Sequence, residues 1–283
     1  MLAFRSELNK RCSPEVSLFS GLRLGASFFF SFLLIVSCRP NEQPAADSRA
    51  TTLPAGEKIL AKNRQFVYAV RWYAPHTTTA RLDTVTMTAA GAPWSIDTTQ
   101  TRIVWLFPAD TLWPKGPTQG VGAIENKEEF WLHPPRYGRY RILEFNPFPH
   151  IKLPAVSGRT WEWKVYPPEM YADPAWASWK GILQVQFRYK LSDIVQLNSS
   201  LGNLPCARIQ ATGTSKLGTT ALEAYFHPAY GFVRLNYRNI DASRVQLELV
   251  AVDVQPKSSE KALQEALNLF KLDSGVPRMG MRE

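Results

Sequence analysis

Cysteine and histidine are scarce, and their scarcity excludes whole classes of chemistry. Only Cys12, Cys38 and Cys206 occur in 283 residues, too few for a disulfide framework. The histidines are His76, His133, His150 and His227, and no two stand four apart as a zinc-protease helix requires. No serine is flanked by glycine on both sides at the spacing of a nucleophile elbow. Gly120-Val121-Gly122 lacks the rest of a phosphate loop. Ser258-Ser259-Glu260-Lys261 has serine-x-x-lysine spacing, but helix capping explains it more simply. No apolar run reaches the roughly 20 residues that span a bilayer. The formal charge is +9, yet the lysines and arginines are scattered rather than clustered. A nucleic-acid partner is therefore not expected. A modest positive surface suits solubility, anionic headgroups or acidic polysaccharide.

The longest uncharged apolar stretch, Leu24 to Val36, follows Lys10, Arg11 and Arg23. A basic flank before a short apolar core is the pattern of a secretory leader. The run closes on Ile35-Val36-Ser37-Cys38, which resembles the bacterial lipobox. That resemblance implies cleavage before Cys38 and lipid on its thiol. Each buried methylene contributes about 0.8 kcal/mol, and two or three acyl chains hold a protein stably where one does not. The chain is thus expected to comprise a signal peptide (1–37), a flexible tether rich in Pro, Ala and small polar residues (38–57), a β domain (58–255) and a C-terminal helix and tail (256–283). Arg39 stands where an aspartate would resemble the inner-membrane retention signal of enteric lipoproteins. Residues 40–44 hold one acid, unlike the acidic export signal of some Bacteroidetes lipoproteins. The expected address is the envelope, at the outer membrane facing the periplasm. Removing residues 1–37 leaves 246, which retain +7 of the charge.

From Lys58 the dominant hydrophobic period is two. Phe66, Tyr68, Val70 and Trp72 alternate with Val67, Ala69 and Arg71. Val185, Phe187, Tyr189 and Leu191 alternate with Gln186, Arg188 and Lys190, and similar runs cover 161–165, 233–238 and 245–249. Such alternation places one row on a core and the other in water, as in antiparallel sheets. Ala90-Gly91-Ala92-Pro93 reads as a turn between strands, and residues 239–243 as the turn of a final hairpin. Prolines crowd residues 108–154, so strands there are expected to be short or at an edge. After Pro256, Ala262, Leu263, Ala266, Leu267 and Phe270 share one helical face. The expected fold is mainly β, a curved antiparallel sheet, half-barrel or sandwich, with a C-terminal α-helix.

The segment 161–180 is unusually aromatic, with Trp161, Trp163, Tyr166, Tyr171, Trp176 and Trp179. These are candidate ligand-lining residues, because aromatic faces stack on sugars or line apolar clefts. The plainer reading makes them core and loop packing. Asp110, Glu162, Glu169 and Asp173 could pair for glycoside hydrolysis, and Cys206 with His227 as nucleophile and base. Neither set has a spacing that demands it, so no catalytic residue, metal or cofactor is assigned. Leu201-Gly202-Asn203-Leu204-Pro205-Cys206-Ala207-Arg208-Ile209, then Tyr225-Phe226 and Pro228-Ala229-Tyr230-Gly231-Phe232-Val233-Arg234-Leu235, resemble periplasmic β proteins and lipoproteins distantly similar to the Lol lipoprotein carriers. The resemblance covers residues 201–250 and implies a curved sheet with room for an acyl chain. A tethered protein binding an apolar, lipid-like ligand or an envelope partner is the expected function. A glycan hydrolase or carbohydrate-binding protein using 161–180 is the alternative.

Overall fold

The computed structural model describes residues 58–108 and 116–253. The expected C-terminal helix, the tether, the leader with Cys38, and Asp110 lie outside the described residues. The chain first forms β1 (Gln65–Tyr73), β2 (Ala80–Pro93), β3 (Thr101–Leu106), β4 (Thr118–Glu125), β5 (Glu129–Leu132) and β6 (His150–Lys152). It continues with β7 (Thr160–Val165), β8 (Val185–Ser199), β9 (Gly202–Ser215), β10 (Gly218–His227), β11 (Gly231–Arg238) and β12 (Arg244–Val252). All pair antiparallel in one sheet of order β6-β5-β4-β3-β2-β1-β12-β11-β10-β9-β8-β7.

That order dictates a curled sheet. β6 and β7 are the two outermost strands, yet they are consecutive in sequence. Residues 153–159 join them, and so short a segment spans about 25 Å at full stretch. Twelve strands laid flat at about 4.8 Å spacing would put those edges roughly 50 Å apart. The sheet therefore curves until its edges meet, and they do meet. The Trp161 indole N–H on β7 donates to Nδ1 of His150 on β6 at 3.1 Å. Trp163 stands edge-on to Trp131 and packs on Phe148. This seam is closed by side chains, whereas every other strand junction is a backbone ladder.

The inward rows supply the core: Phe66, Tyr68 and Val70 from β1, Ile103 and Trp105 from β3, Phe187, Tyr189 and Leu191 from β8, Leu235 and Tyr237 from β11. The proline-rich middle contributes the rest. After β5 the chain turns inward through a 3₁₀ segment, Gly138–Phe145, with Tyr140, Ile142, Leu143 and Phe145 buried. Such a segment cannot bond all its carbonyls internally, and the surrounding strands bond its last one and that of nearby Phe148. Thr220 Oγ1 donates to the Phe145 carbonyl at 2.8 Å, and Tyr189 Oη to that of Phe148 at 3.2 Å. Asn146 Nδ2 donates to Oδ1 of Asn239 at 2.7 Å. Residues 133–149 thus plug the concave side. Thr220→Val should cost about 1–3 kcal/mol, because a buried carbonyl loses its donor. Urea unfolding checks the loss, and faster amide exchange within 138–146 locates it.

Several expectations hold. The loop of residues 239–243 joins β11 to β12, and of the strands in the proline-rich span β5 and β6 are short and outermost, whereas β4, eight residues long, lies third from that edge. Gly231 has φ +73° and begins β11 after the 228–230 turn. Pro205 fits in β9 because β10 pairs no further than Ala207, so a ladder donor on that side is not needed. One expectation fails. Ala90-Gly91-Ala92-Pro93 does not separate strands but lies inside β2. Gly91, at φ +66°, absorbs a bulge where the β2–β3 register shifts between Ala89 and Pro93. The actual turn follows at 97–100, where Asp97 Oδ1 accepts from the Thr99 N–H at 3.0 Å. β1 also departs from simple alternation: Val67 and Ala69 are buried on its other face, with Val250.

Candidate functional site

The structure separates the six aromatic candidates into three groups. Trp161 and Trp163 belong to the seam. Trp161 stacks parallel on Tyr189 at 5.2 Å, and Trp163 fills the space between Trp131, Phe148 and Phe187. Tyr171, Trp176 and Trp179 pack on the plug. Trp176 and Trp179 flank Phe145 at 5.0 and 4.9 Å, and the Tyr171 hydroxyl accepts from Arg136 at 3.0 Å. Tyr166 is exposed.

The carboxylate candidates are not brought to one point by any shared contact. Glu162 accepts from Arg188 at 2.9 Å and from Gln186 at 3.1 Å. Glu169 accepts the Gly181 N–H at 2.7 Å, and Asp173 the Ala175 N–H at 2.9 Å, so both fasten loops. Cys206 is buried, and burial pushes its thiol up to about 12, far from a thiolate at neutral pH. His227 stacks on Tyr230, and its Nδ1 accepts the Ala229 N–H at 3.2 Å. Among the described residues no cluster of three or more His, Cys, Asp and Glu side chains could hold a metal.

Two polar clusters escaped sequence reasoning. At the seam, His150 Nε2 lies 2.9 Å from Glu129, which also accepts from Lys152. Because Nδ1 accepts from Trp161, Nε2 carries the proton and donates to Glu129. The hydrogen bond from His150, with Lys152 beside it, holds the Glu129 carboxyl down at about 2. Burial outweighs Glu129 at the imidazole and keeps His150 below its ordinary value. On the plug, Arg136 Nη1 reaches Glu144 at 3.2 Å, Tyr171 Oη at 3.0 Å and His133 Nε2 at 3.4 Å. Burial, and then the Arg136 charge, push His133 down to about 3, while burial raises Glu144. Both clusters join residues from separate elements, so no local spacing announced them. Each is internally satisfied and serves to pin the seam and the plug.

An open feature lies elsewhere, on the outer face. A groove of about 870 Å³ crosses β7 to β11. Its central row follows the register Thr160, Lys190, Gln210, Glu223, Asn236, one residue from each of five strands. The next row is Glu162, Arg188, Thr212 and Ala221. The small side chains of Thr212 and Ala221 keep the floor low. Of the aromatic candidates only Trp161 borders the groove, and its ring turns to the other face, onto Tyr189. Alternation in β8 was legible in the sequence, but the alignment of five strands into one trough was not.

No protein family and no curated protein matches the chain. Solved structures similar to it include a Bacteroides fragilis protein with a YmcC-like fold, 11% identical, covering 72% of this chain and 99% of that one with a TM-score of 0.37. Another is the hypothetical lipoprotein YmcC from Escherichia coli, 12% identical, covering 68% and 86% with a TM-score of 0.36. A LolA superfamily protein from Nitrosomonas europaea is 10% identical, covering 70% and 90% with a TM-score of 0.27. These neighbours are of the kinds that the lipobox and the Lol-like cadence named. At such scores the likeness assigns this chain no activity, ligand or compartment.

Proposed function

We propose that the chain is a lipid-anchored envelope protein that works by binding, with the groove over β7–β11 as its contact surface. The anchor rests on the lipobox at Ile35–Cys38 behind a short apolar core. No described helix is long and apolar enough to cross a membrane. The observation that carries the binding surface is the contrast between the two faces. The concave face is filled by residues of the chain's own plug, while the outer face keeps an open polar trough. Hydroxyl, amide and charged groups in a wet groove suit a hydrated ligand such as a glycan better than an acyl chain. Ala221→Trp would fill the floor from the solvent side without touching the core. Purified cell-wall glycan should retain the wild-type protein, and the variant should be retained at least about tenfold less, a difference of about 1.4 kcal/mol. Equal retention would remove the groove from the proposal.

A second reading has its own support. The seam is closed by side chains alone, so the plugged interior can open there without breaking a backbone ladder. An apolar ligand could then replace residues 133–149. Native mass spectrometry of protein extracted from membranes would show a stoichiometric lipid under that reading. The hydrolase alternative predicts that Glu162→Gln, Glu169→Gln and Asp173→Asn abolish glycan turnover. Under the binding reading there is no turnover for them to abolish.

A further inference from the structure

We infer that the groove takes an acidic polysaccharide, a chain bearing both carboxylates and hydroxyls. This rests on the groove being a binding surface and adds the ligand's chemistry. Both oxygens of Glu162 are engaged, by Arg188 and Gln186. Glu223 Oε1 accepts from Tyr225 at 2.8 Å and from Asn236 at 3.3 Å. The Gln210 carbonyl accepts from Ser192 at 2.9 Å, which leaves its amide N–H₂ without a hydrogen-bond partner among the described residues. Lys190 has no hydrogen-bond or ion-pair partner among the described residues, although it sits mid-row between Thr160 and Gln210. Arg188 gives its Nε–H to Glu162 and keeps further donors.

Glu162 is therefore fully engaged and paired with Arg188, Glu223 keeps Oε2 free, and Lys190 is the groove cation with no partner among the described residues. The free capacity is an ammonium, spare guanidinium N–H groups, an amide and two threonine hydroxyls. An ammonium beside spare guanidinium donors complements a carboxylate, because charge-assisted bonds are about twice as strong as neutral ones. Gln210, Thr160 and Thr212, with the free carbonyl of Asn236 and Oε2 of Glu223, complement sugar hydroxyls, which both donate and accept. A neutral glycan would leave Lys190 unanswered. A plain polyanion would leave the amide and hydroxyl row unanswered. Five strands in one row favour an extended chain over a single sugar.

The test uses the lipidated mature protein in detergent micelles and isothermal titration with oligogalacturonate. A neutral maltooligosaccharide of similar length and polyglutamate serve as comparators. Oligogalacturonate should bind at least about tenfold more tightly than either, and the affinity should fall as salt rises. Lys190→Gln should lose about tenfold of that affinity, whereas Lys216→Gln, in the β9–β10 turn, should lose none. If maltooligosaccharide binds as tightly, or Lys190→Gln binds oligogalacturonate like wild type, acid recognition is wrong while the groove survives, provided Ala221→Trp blocks the binding. If polyglutamate binds as tightly, the ligand is a polyanion and not a sugar acid. If no chain binds, or Ala221→Trp changes nothing, the groove reading itself falls.

Discussion

Cys38→Ser is expected to move the protein almost entirely from the membrane fraction to the soluble fraction, with residues 1–37 still attached or cleaved elsewhere. The sulfur at position 38 is the atom that would receive the lipid, and serine offers none. The proposed grip is wholly that of acyl chains in a bilayer. One chain gives only marginal, reversible binding, and two or more hold firmly. Deleting all of them should change partitioning by several orders of magnitude. Detergent phase separation and intact mass measure this together: the wild type should enter the detergent phase with the added mass of acyl chains and without its first 37 residues. A wild-type mass equal to the full unmodified chain would replace the lipid anchor by a membrane-inserted leader and remove the compartment argument.

Acidification should destabilise the β domain while most of its carboxylates are still ionised. His133 and His150 are both buried and held neutral, the first down at about 3. An unfolded histidine takes its proton near 6.5. Below that pH and above the folded value, the unfolded chain binds more protons than the folded one, so stability falls as pH drops. From pH 7.5 to pH 5, His133 alone should remove about 2 kcal/mol. Glu129, lowered to about 2, still contributes fully at pH 5 and is lost only in stronger acid. Glu144, raised by burial, acts in the opposite sense and offsets part of the loss. Urea midpoints across this window measure the slope, and a flat profile would contradict neutral burial of the imidazoles.

The same titration should loosen the seam. Nδ1 of His150 accepts from Trp161, and an imidazolium has no lone pair to accept with. The groups facing that ring are Glu129 from β5, Lys152 from β6, and Trp161 and Tyr189 from β7 and β8. Glu129 eases the protonation and Lys152 opposes it. The indole N–H resonance of Trp161 should shift with acid in the wild type and stay fixed in His150→Gln. A shift of equal size in both would assign the change to another group.

Much of the fold was written in period-two runs. Phe187, Tyr189 and Leu191 against Arg188 and Lys190 mark an antiparallel strand with one wet face by their order along the chain alone. The 239–243 turn and the positive φ of Gly231 were equally local. Ala90–Pro93 misled because glycine close to proline serves a bulge as readily as a turn, and only the pairing with β3 distinguishes them. The buried polar clusters were illegible, since His150, Glu129 and Trp161 come from three strands, and His133, Arg136 and Tyr171 from segments whose paths the prolines left open.

By itself the sequence determined the class of sheet and, in alternating runs such as β8 and β11, which side chains turn inward, because alternation is a property of neighbouring residues. It also carried the lipobox on which the proposed anchor rests. Tertiary structure decided that β6 and β7 meet, that residues 133–149 fill the interior, and that Lys190 and Gln210 share a trough with Asn236. Those are facts about strands brought together from distant positions. Their cause is the curvature of a whole sheet, to which every pairing contributes and which no single segment encodes.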